Sequence, residues 1–271
     1  MSNLTSRVLV AVVLAPVAIA AVVAGGWPMA LLGIAVAVIG IHEYCLLTRD
    51  QRPLTIAGFV GVTTIVVAVE QGGLVWSLAA VFGTLLLAFW LSAIAEVHQS
   101  AVVQLAVTLF GVVWIGYGIG FLVALREIPV PHEWGKWLVV GVLIGVWGSD
   151  IAAYVGGRAF GRHKLANTIS PNKTVEGLAI GMAVGTVAAF IAIYKQPDAA
   201  PVANGDALLI ALAIAVAAPV GDLFESYLKR DAGIKDSGRL LGGHGGVLDR
   251  VDALLFAGIA AYMAALAVGR A

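Results

Sequence analysis

Residues 205–252 read GDALLIALAIAVAAPVGDLFESYLKRDAGIKDSGRLLGGHGGVLDRVD. The first part, 207–220, is an unbroken apolar run. Asp222 follows it almost at once, and acids, bases and glycines crowd the residues up to Asp252. An apolar run of this kind that ends in charge is the pattern of a helix leaving a bilayer. An anion placed so close to the membrane is expensive unless it is partnered or used.

The pattern recurs along the chain. A span needs about 20 mostly apolar residues to cross a hydrocarbon core of roughly 30 Å. Nine segments qualify: 8–24, 28–47, 55–69, 74–93, 102–125, 136–158, 174–194, 205–228 and 251–269. The expected fold is therefore all-α, a polytopic integral membrane protein of about nine helices, because open strands cannot satisfy their backbone in lipid. Segments 55–69 and 74–93 are the weakest of the nine and could form one re-entrant hairpin. The first segment is read as a span and not as a cleaved leader, because its apolar run exceeds a usual signal h-region. Spans one to five (1–135) form the expected N-terminal region. Spans six to nine (136–271), with two polar loops, form the expected catalytic region.

Composition agrees. Of 271 residues, 61% are apolar and only 12% charged, with a mean hydropathy of +0.98. Soluble domains have roughly 25% charge. The 16 Lys and Arg balance 16 Asp and Glu, which excludes a basic nucleic-acid binder, and the single Cys45 excludes an internal disulfide. With nine spans, the Lys and Arg lie mostly on the side that holds the N-terminus and both polar stretches. Only Arg126, Lys136, Lys195 and Arg270 lie opposite. That asymmetry places both stretches in the cytoplasm. Two spans separate them, so they share a compartment whatever the count upstream.

The first polar stretch, 158–177, reads RAFGRHKLANTISPNKTVEG; the second is 222–252. Mixed Asp and Lys/Arg with glycine turns suits phosphate chemistry. Carboxylates hold a hard divalent cation through oxygen, and bases neutralise the remaining charge. If span eight continues as a helix past Gly221, then Asp222, Ser226, Lys229 and Arg230 share one face. Asp249 and Asp252 share another at the start of span nine. The glycine run around His244 can aim successive N–H groups at an anion. Plainer roles stand beside these. Asp249 could cap a helix, Lys229, Arg230 and Lys235 could flank a span, and His244 could be an ordinary polar residue. Asp150, inside an apolar run, is a functional candidate by its position, or else a helix-to-helix hydrogen bond. Glu43 in span two is a weaker case of the same kind. Ser170-Pro171-Asn172-Lys173-Thr174 is a proline-set turn before a helix, able to cap it or to meet a phosphate.

The run Ser226-x-x-Lys229-Arg230-x4-Lys235-Asp236, then Leu241-Gly242-x-His244-Gly245-Gly246-x-x-Asp249-Arg250-x-Asp252, resembles the signature of the phosphatidate cytidylyltransferases. Arg7-Val8-Leu9, Glu43-Tyr44, Asp150 with Ala153-Tyr154, and Ser170-Pro171-x-Lys173-Thr174-x-Glu176-Gly177 also resemble family segments. Departures are small: Gly242 stands where many members carry Pro, and Ile151-Ala152 where Thr-Gly is common. The resemblance implies that CTP and phosphatidic acid, with a divalent cation, give CDP-diacylglycerol and pyrophosphate. It implies a homodimer in the bacterial inner membrane, with its active site facing the cytoplasm. It also implies Asp222 and Asp249 as metal carboxylates for Mg²⁺, helped by Asp236 and Asp252. Lys229, Arg230, Lys235 and Arg250 would then serve the phosphates, with Ser226 and His244 as donors. Asp150, Ser170, Lys173, Thr174, Glu176, Gly245 and Gly246 would line the substrates. Whether a second, monovalent cation takes part is open at this level. So are two rivals, CTP-dependent activation of another lipid phosphate and a cation-coupled transporter.

Overall fold

The structure is a computed structural model that describes residues 15–94, 100–128, 134–194, 196, 203–238 and 245–269. Arg7-Val8-Leu9, the start of the first span, the breaks at 96–99, 129–131 and 197–202, and Leu241, Gly242 and His244 lie outside the described residues. The described helices are α1 (Ala15–Ala24), α2 (Gly26–Leu47), α3 (Thr55–Gly72), α4 (Leu74–Ile94), α5 (Ala101–Arg126), α6 (Trp134–Phe160), α7 (Val175–Ile193), α8 (Asn204–Asp231) and α9 (Leu248–Ala267). Eight of them, α2 to α9, are long and apolar enough to cross a membrane. The chain is a predominantly helical membrane protein. Segments 55–69 and 74–93 are two separate helices of 18 and 21 residues, divided at Gly73 with φ +74°. Each is long enough to span. The small sheet was not foreseen: β1 (Lys164–Ala166) pairs antiparallel with β2 (Ser170–Thr174) in the loop between α6 and α7.

Contacts divide the chain into two compact units. The first holds residues up to 124 together with 231–251; the second holds 125–230 and 252–271.

In the first unit, α2, α3 and α5 bury Ile41, Tyr44, Ile65 and Ile115 almost completely. Glycines permit the close approach: a Cβ on Gly58 would lie 3.0 Å from the Ile41 side chain, and one on Gly61 would lie 2.8 Å from Val112. Within α5 the turn at Val112–Tyr117 is a π-helix. The rings of Phe110 and Trp114 stand 6.1 and 6.2 Å from that of Tyr44. The Tyr44 hydroxyl donates to the Val107 carbonyl at 2.9 Å, which fastens α2 to α5. Helix α4 buries only Ser77, Thr84 and Ala88 and turns Trp76, Phe82, Phe89 and Trp90 outward, the face expected toward lipid.

In the second unit α6 and α7 are joined by a stripe of small residues. A Cβ on Gly177 would lie 2.7 Å from the Ala153 carbonyl, one on Gly181 2.8 Å from that of Ser149, and one on Gly185 2.9 Å from that of Gly145. Only glycine allows two backbones to come so near, and close packing is what holds helices together in lipid. Helices α8 and α9 meet in the same manner: Gly221 leaves room for the backbone of Asp252 and Ala253, and Phe224 stacks obliquely on Phe256 at 5.2 Å.

Candidate functional site

Helix α8 does continue past Gly221, to Asp231, so the acid after the apolar run lies on a helix. Asp222 is half-buried there. Its Oδ2 forms an ion pair with Lys173 of β2, and the Ser226 hydroxyl donates to its Oδ1 at 3.4 Å. One turn away Glu225 is fully buried and accepts from Lys229 Nζ at 2.9 Å. Asp252, buried on α9, interacts with the side chains of Asp222, Glu225 and Lys229. The cluster therefore holds three carboxylates and two ammonium groups in one small volume. Lys229 faces this interior, while Arg230 lies on the exposed side and donates from Nε to the Ile169 carbonyl at 3.1 Å. Two basic contacts thus bind the β1–β2 hairpin to α8.

The hairpin is built for that task. Thr174 caps α7: its hydroxyl oxygen accepts from the Gly177 N–H at 3.1 Å. Glu176, in the first turn of α7, accepts from the Arg162 and His163 N–H groups at 3.0 and 3.2 Å, and its Oε1 lies 2.6 Å from His163 Nδ1. Lys164 donates to the Pro171 carbonyl at 2.7 Å, across the hairpin. Ser170 and Lys173 stand half-buried on β2. Thr174 and Glu176 thus shape the hairpin and its helix. Asp150 lies on an exposed face of α6, between Trp147 and Tyr154.

The other half of the signature is in the first unit. Asp249, in the first turn of α9, accepts through Oδ2 from the N–H groups of Ser237 and Gly246 at 3.0 and 2.8 Å. Asp249 is therefore not the N-cap weighed for it: it sits inside the first turn of α9 and reaches back to N–H groups outside the helix, an anchoring of another kind. This anchoring fixes the carboxylate's direction, which is also what a ligand to a cation requires. Gly245, at φ +76°, has no room for a Cβ beside the Asp249 carboxylate. Gly246 is buried against the Ser237 hydroxyl and Glu43. Lys235, Asp236 and Arg250 are exposed.

The donor chemistry around Asp222 fits a hard divalent cation. The groups there able to ligate a metal are carboxylate oxygens, with Lys173 and Lys229 as the counter-charges in their place. Among the described residues no group of three or more His, Cys, Asp or Glu side chains stands ready to hold a metal by itself. A cation here would need phosphate oxygens or water to fill its shell, as Mg²⁺ commonly does.

Sequence reading missed Glu225 altogether, and it missed the partners of Glu43. Glu225 precedes Lys229 by four positions, which reads as an ordinary surface pair. A sign was available: Glu225 falls only three residues after Asp222, on the side that the apolar run buries. Glu43 was noticed as an intramembrane acid, but its partners lie about 200 residues away.

The profile of the cytidylyltransferase family matches residues 5–268. The chain is 36% identical over 269 residues to the phosphatidate cytidylyltransferase of Brucella suis biovar 1 (strain 1330), covering 97% of this chain and 93% of that protein. It is 30% identical over 264 residues to the protein of that name from Bacillus subtilis (strain 168), covering 94% and 95%. Over 140 residues it is 41% identical to that of Helicobacter pylori (strain ATCC 700392 / 26695), covering 51% and 50%. The match runs through every described helix and through both polar stretches, and the charged cluster lies within it: the chain belongs to the cytidylyltransferase family.

Proposed function

We propose that the protein transfers the cytidylyl group of CTP to phosphatidic acid, giving CDP-diacylglycerol and pyrophosphate in phospholipid biosynthesis. Membership of the family and the names of its full-length relatives support this. The observation in the structure that carries it is the joining of the two polar stretches by Lys173 and Asp222, where α8 runs on past its apolar stretch.

A phosphate oxygen of the lipid attacks the α-phosphorus of CTP, the α–β bridging bond breaks, and pyrophosphate leaves. The nucleophile is already anionic, since the second pKa of a phosphate monoester is about 6. No side chain has to remove a proton. What the protein supplies is position and positive charge at the oxygens where charge develops. Lys173 stands beside Asp222, where it would meet a phosphate, and Arg230 stands at the hairpin turn. Glu225 keeps Lys229 in place, and Ser226 steadies the Asp222 carboxylate. Lys235, Arg250 and His244 complete the basic and donor set by their positions in the signature. Mg²⁺ is the proposed cation, with Asp249 of the signature and Asp222, which precedes it on α8, as the carboxylates that the family resemblance implies. Bound there, it would offset the negative charge of the nucleotide phosphates.

The basic asymmetry supports an active face toward the cytoplasm, and the bacterial relatives support the inner membrane as its location. A homodimer is part of the same proposal. A panel assay tests the substrate. Pyrophosphate release should require CTP and phosphatidic acid together, and should be at most weak with another lipid phosphate. Release with a different lipid phosphate alone would move the assignment to a sister activity.

A further inference from the structure

Glu43 has no part in the reaction as described, yet it is among the most enclosed acids in the chain. It lies near the end of α2, inside an apolar span, and is only 3% exposed. Its Oε1 accepts from the Val247 N–H at 3.0 Å. Its Oε2 accepts from the Leu248 N–H at 2.8 Å and the Ser237 hydroxyl at 3.3 Å. All three partners are donors, so both oxygens must be acceptors, which a carboxylate provides and an amide does not. The Val247 and Leu248 N–H groups open α9 and have no partner within their own helix. Glu43 thus caps a helix from across the unit, and its negative charge meets the positive end of that helix.

The surroundings are shaped around this carboxylate. A Cβ on Gly238 or on Gly246 would collide with it. Its neighbour Tyr44 is anchored by a hydrogen bond to Val107 and by the rings of Phe110 and Trp114, so Glu43 stands on a fixed support. Ser237 is tied twice: its hydroxyl donates to Glu43 and its N–H to Asp249. Asp249 in turn holds the Gly246 N–H. Two carboxylates, one on α2 and one on α9, therefore hold Ser237 together with Gly246, Val247 and Leu248. Asp249 follows Leu248 directly, so whatever fixes the start of α9 fixes the Asp249 carboxylate.

We propose that Glu43 is a positioning residue for the transfer reaction: it holds the entry of α9 and, through that, the Asp249 carboxylate, without touching substrate. The proposal rests on the cytidylyl-transfer reading for its catalytic consequence, but not for the clamp. It is tested on the full chain in detergent with Glu43→Gln, which keeps the volume but turns a donor toward a donor, and with Gly238→Ala, which removes no polar group. Hydrogen–deuterium exchange followed on peptides covering 245–250 should be faster in both variants, by roughly ten- to a hundred-fold for bonds to a charged acceptor. Exchange in α6 and α7 should be unchanged. Turnover per folded molecule should fall at least ten-fold, with a raised Mg²⁺ requirement and an unchanged KM for phosphatidic acid. Unchanged exchange at 245–250 would overturn the clamp. Faster exchange with parental turnover and parental Mg²⁺ dependence would overturn the positioning role. So would a loss explained wholly by a smaller folded fraction. A parent that makes no product from CTP would sink the functional reading, and the exchange measurement would still decide whether Glu43 holds the start of α9.

Discussion

Lys173 and Asp222 form an ion pair that joins strand β2 to helix α8, two polar segments separated by the whole of α7 and its following loop. Both side chains are partly exposed, at 29% and 32%, so their attraction is screened and adds little to stability. Under the proposed reaction, the use of this pair is to place charge for a phosphate, not to hold the fold.

The first expectation follows from that pair. Lys173→Met keeps the stem and loses the charge. Turnover should fall roughly 100-fold or more, the scale for removing one preorganised group that stabilises a transition state. The unfolding free energy in detergent should move by less than about 1 kcal/mol. A variant with parental kcat would confine Lys173 to a tether for the hairpin.

Glu225 should behave in the opposite way. It is fully buried and bonded to the buried Lys229, and removing it leaves that ammonium without its hydrogen-bonded carboxylate, with Asp252 left to offset the charge. Glu225→Ala should destabilise the protein by about 3–5 kcal/mol, whereas the double change Glu225→Leu with Lys229→Met should recover much of that stability. Thermal melts in one detergent compare the two directly. Equal melting of the single and double variants would mean that burial of the charge is not the cause.

The α6–α7 contact gives a third. Gly185 lies against the backbone of Gly145, with no space for a side chain. Gly185→Leu should lower the melting temperature strongly and reduce yield. Gly83→Leu, on the outer face of α4 where nothing lies within 4 Å, should be tolerated. If both are tolerated alike, the close approach of α6 and α7 is not required.

The fourth concerns Asp222 and Asp249. If they serve one cation, Asp222→Asn and Asp249→Asn should each remove most of the turnover, and the double variant should be scarcely worse than either. Added Mg²⁺ should restore the single variants only in part. Losses that multiply, with an unchanged Mg²⁺ dependence, would assign the two carboxylates separate tasks.

The spans were legible because apolar length is a local property; α2 to α9 appear where the composition places them, within a few residues. The continuation of α8 past Gly221 was legible for the same reason, since Asp222, Ser226 and Lys229 keep helical spacing. The hairpin was not. Lys164–Ala166 and Ser170–Thr174 are too short and too polar to alternate visibly, and their pairing is set by a turn and by contacts to Glu176 and α8. The π turn in α5 and the Gly177, Gly181 and Gly185 stripe depend on which face of one helix meets another, which no single segment records. Glu43 shows the limit most clearly. Its burial could be read from the apolar run around it, but its partners at Ser237, Val247 and Leu248 are fixed only by the tertiary fold.

Position-labelled CTP tests the proposed reaction most directly. The purified protein in mixed micelles would receive phosphatidic acid, Mg²⁺ and CTP labelled in turn at the α- or the γ-phosphorus. The expected result is α-label in the lipid fraction and γ-label in pyrophosphate in equal amounts. Both should vanish when the divalent cation is chelated and should fall together, to a small residue, when Asp222 is changed to Asn. Label from the γ-position in the lipid, or none from either position, would contradict cytidylyl transfer to phosphatidic acid.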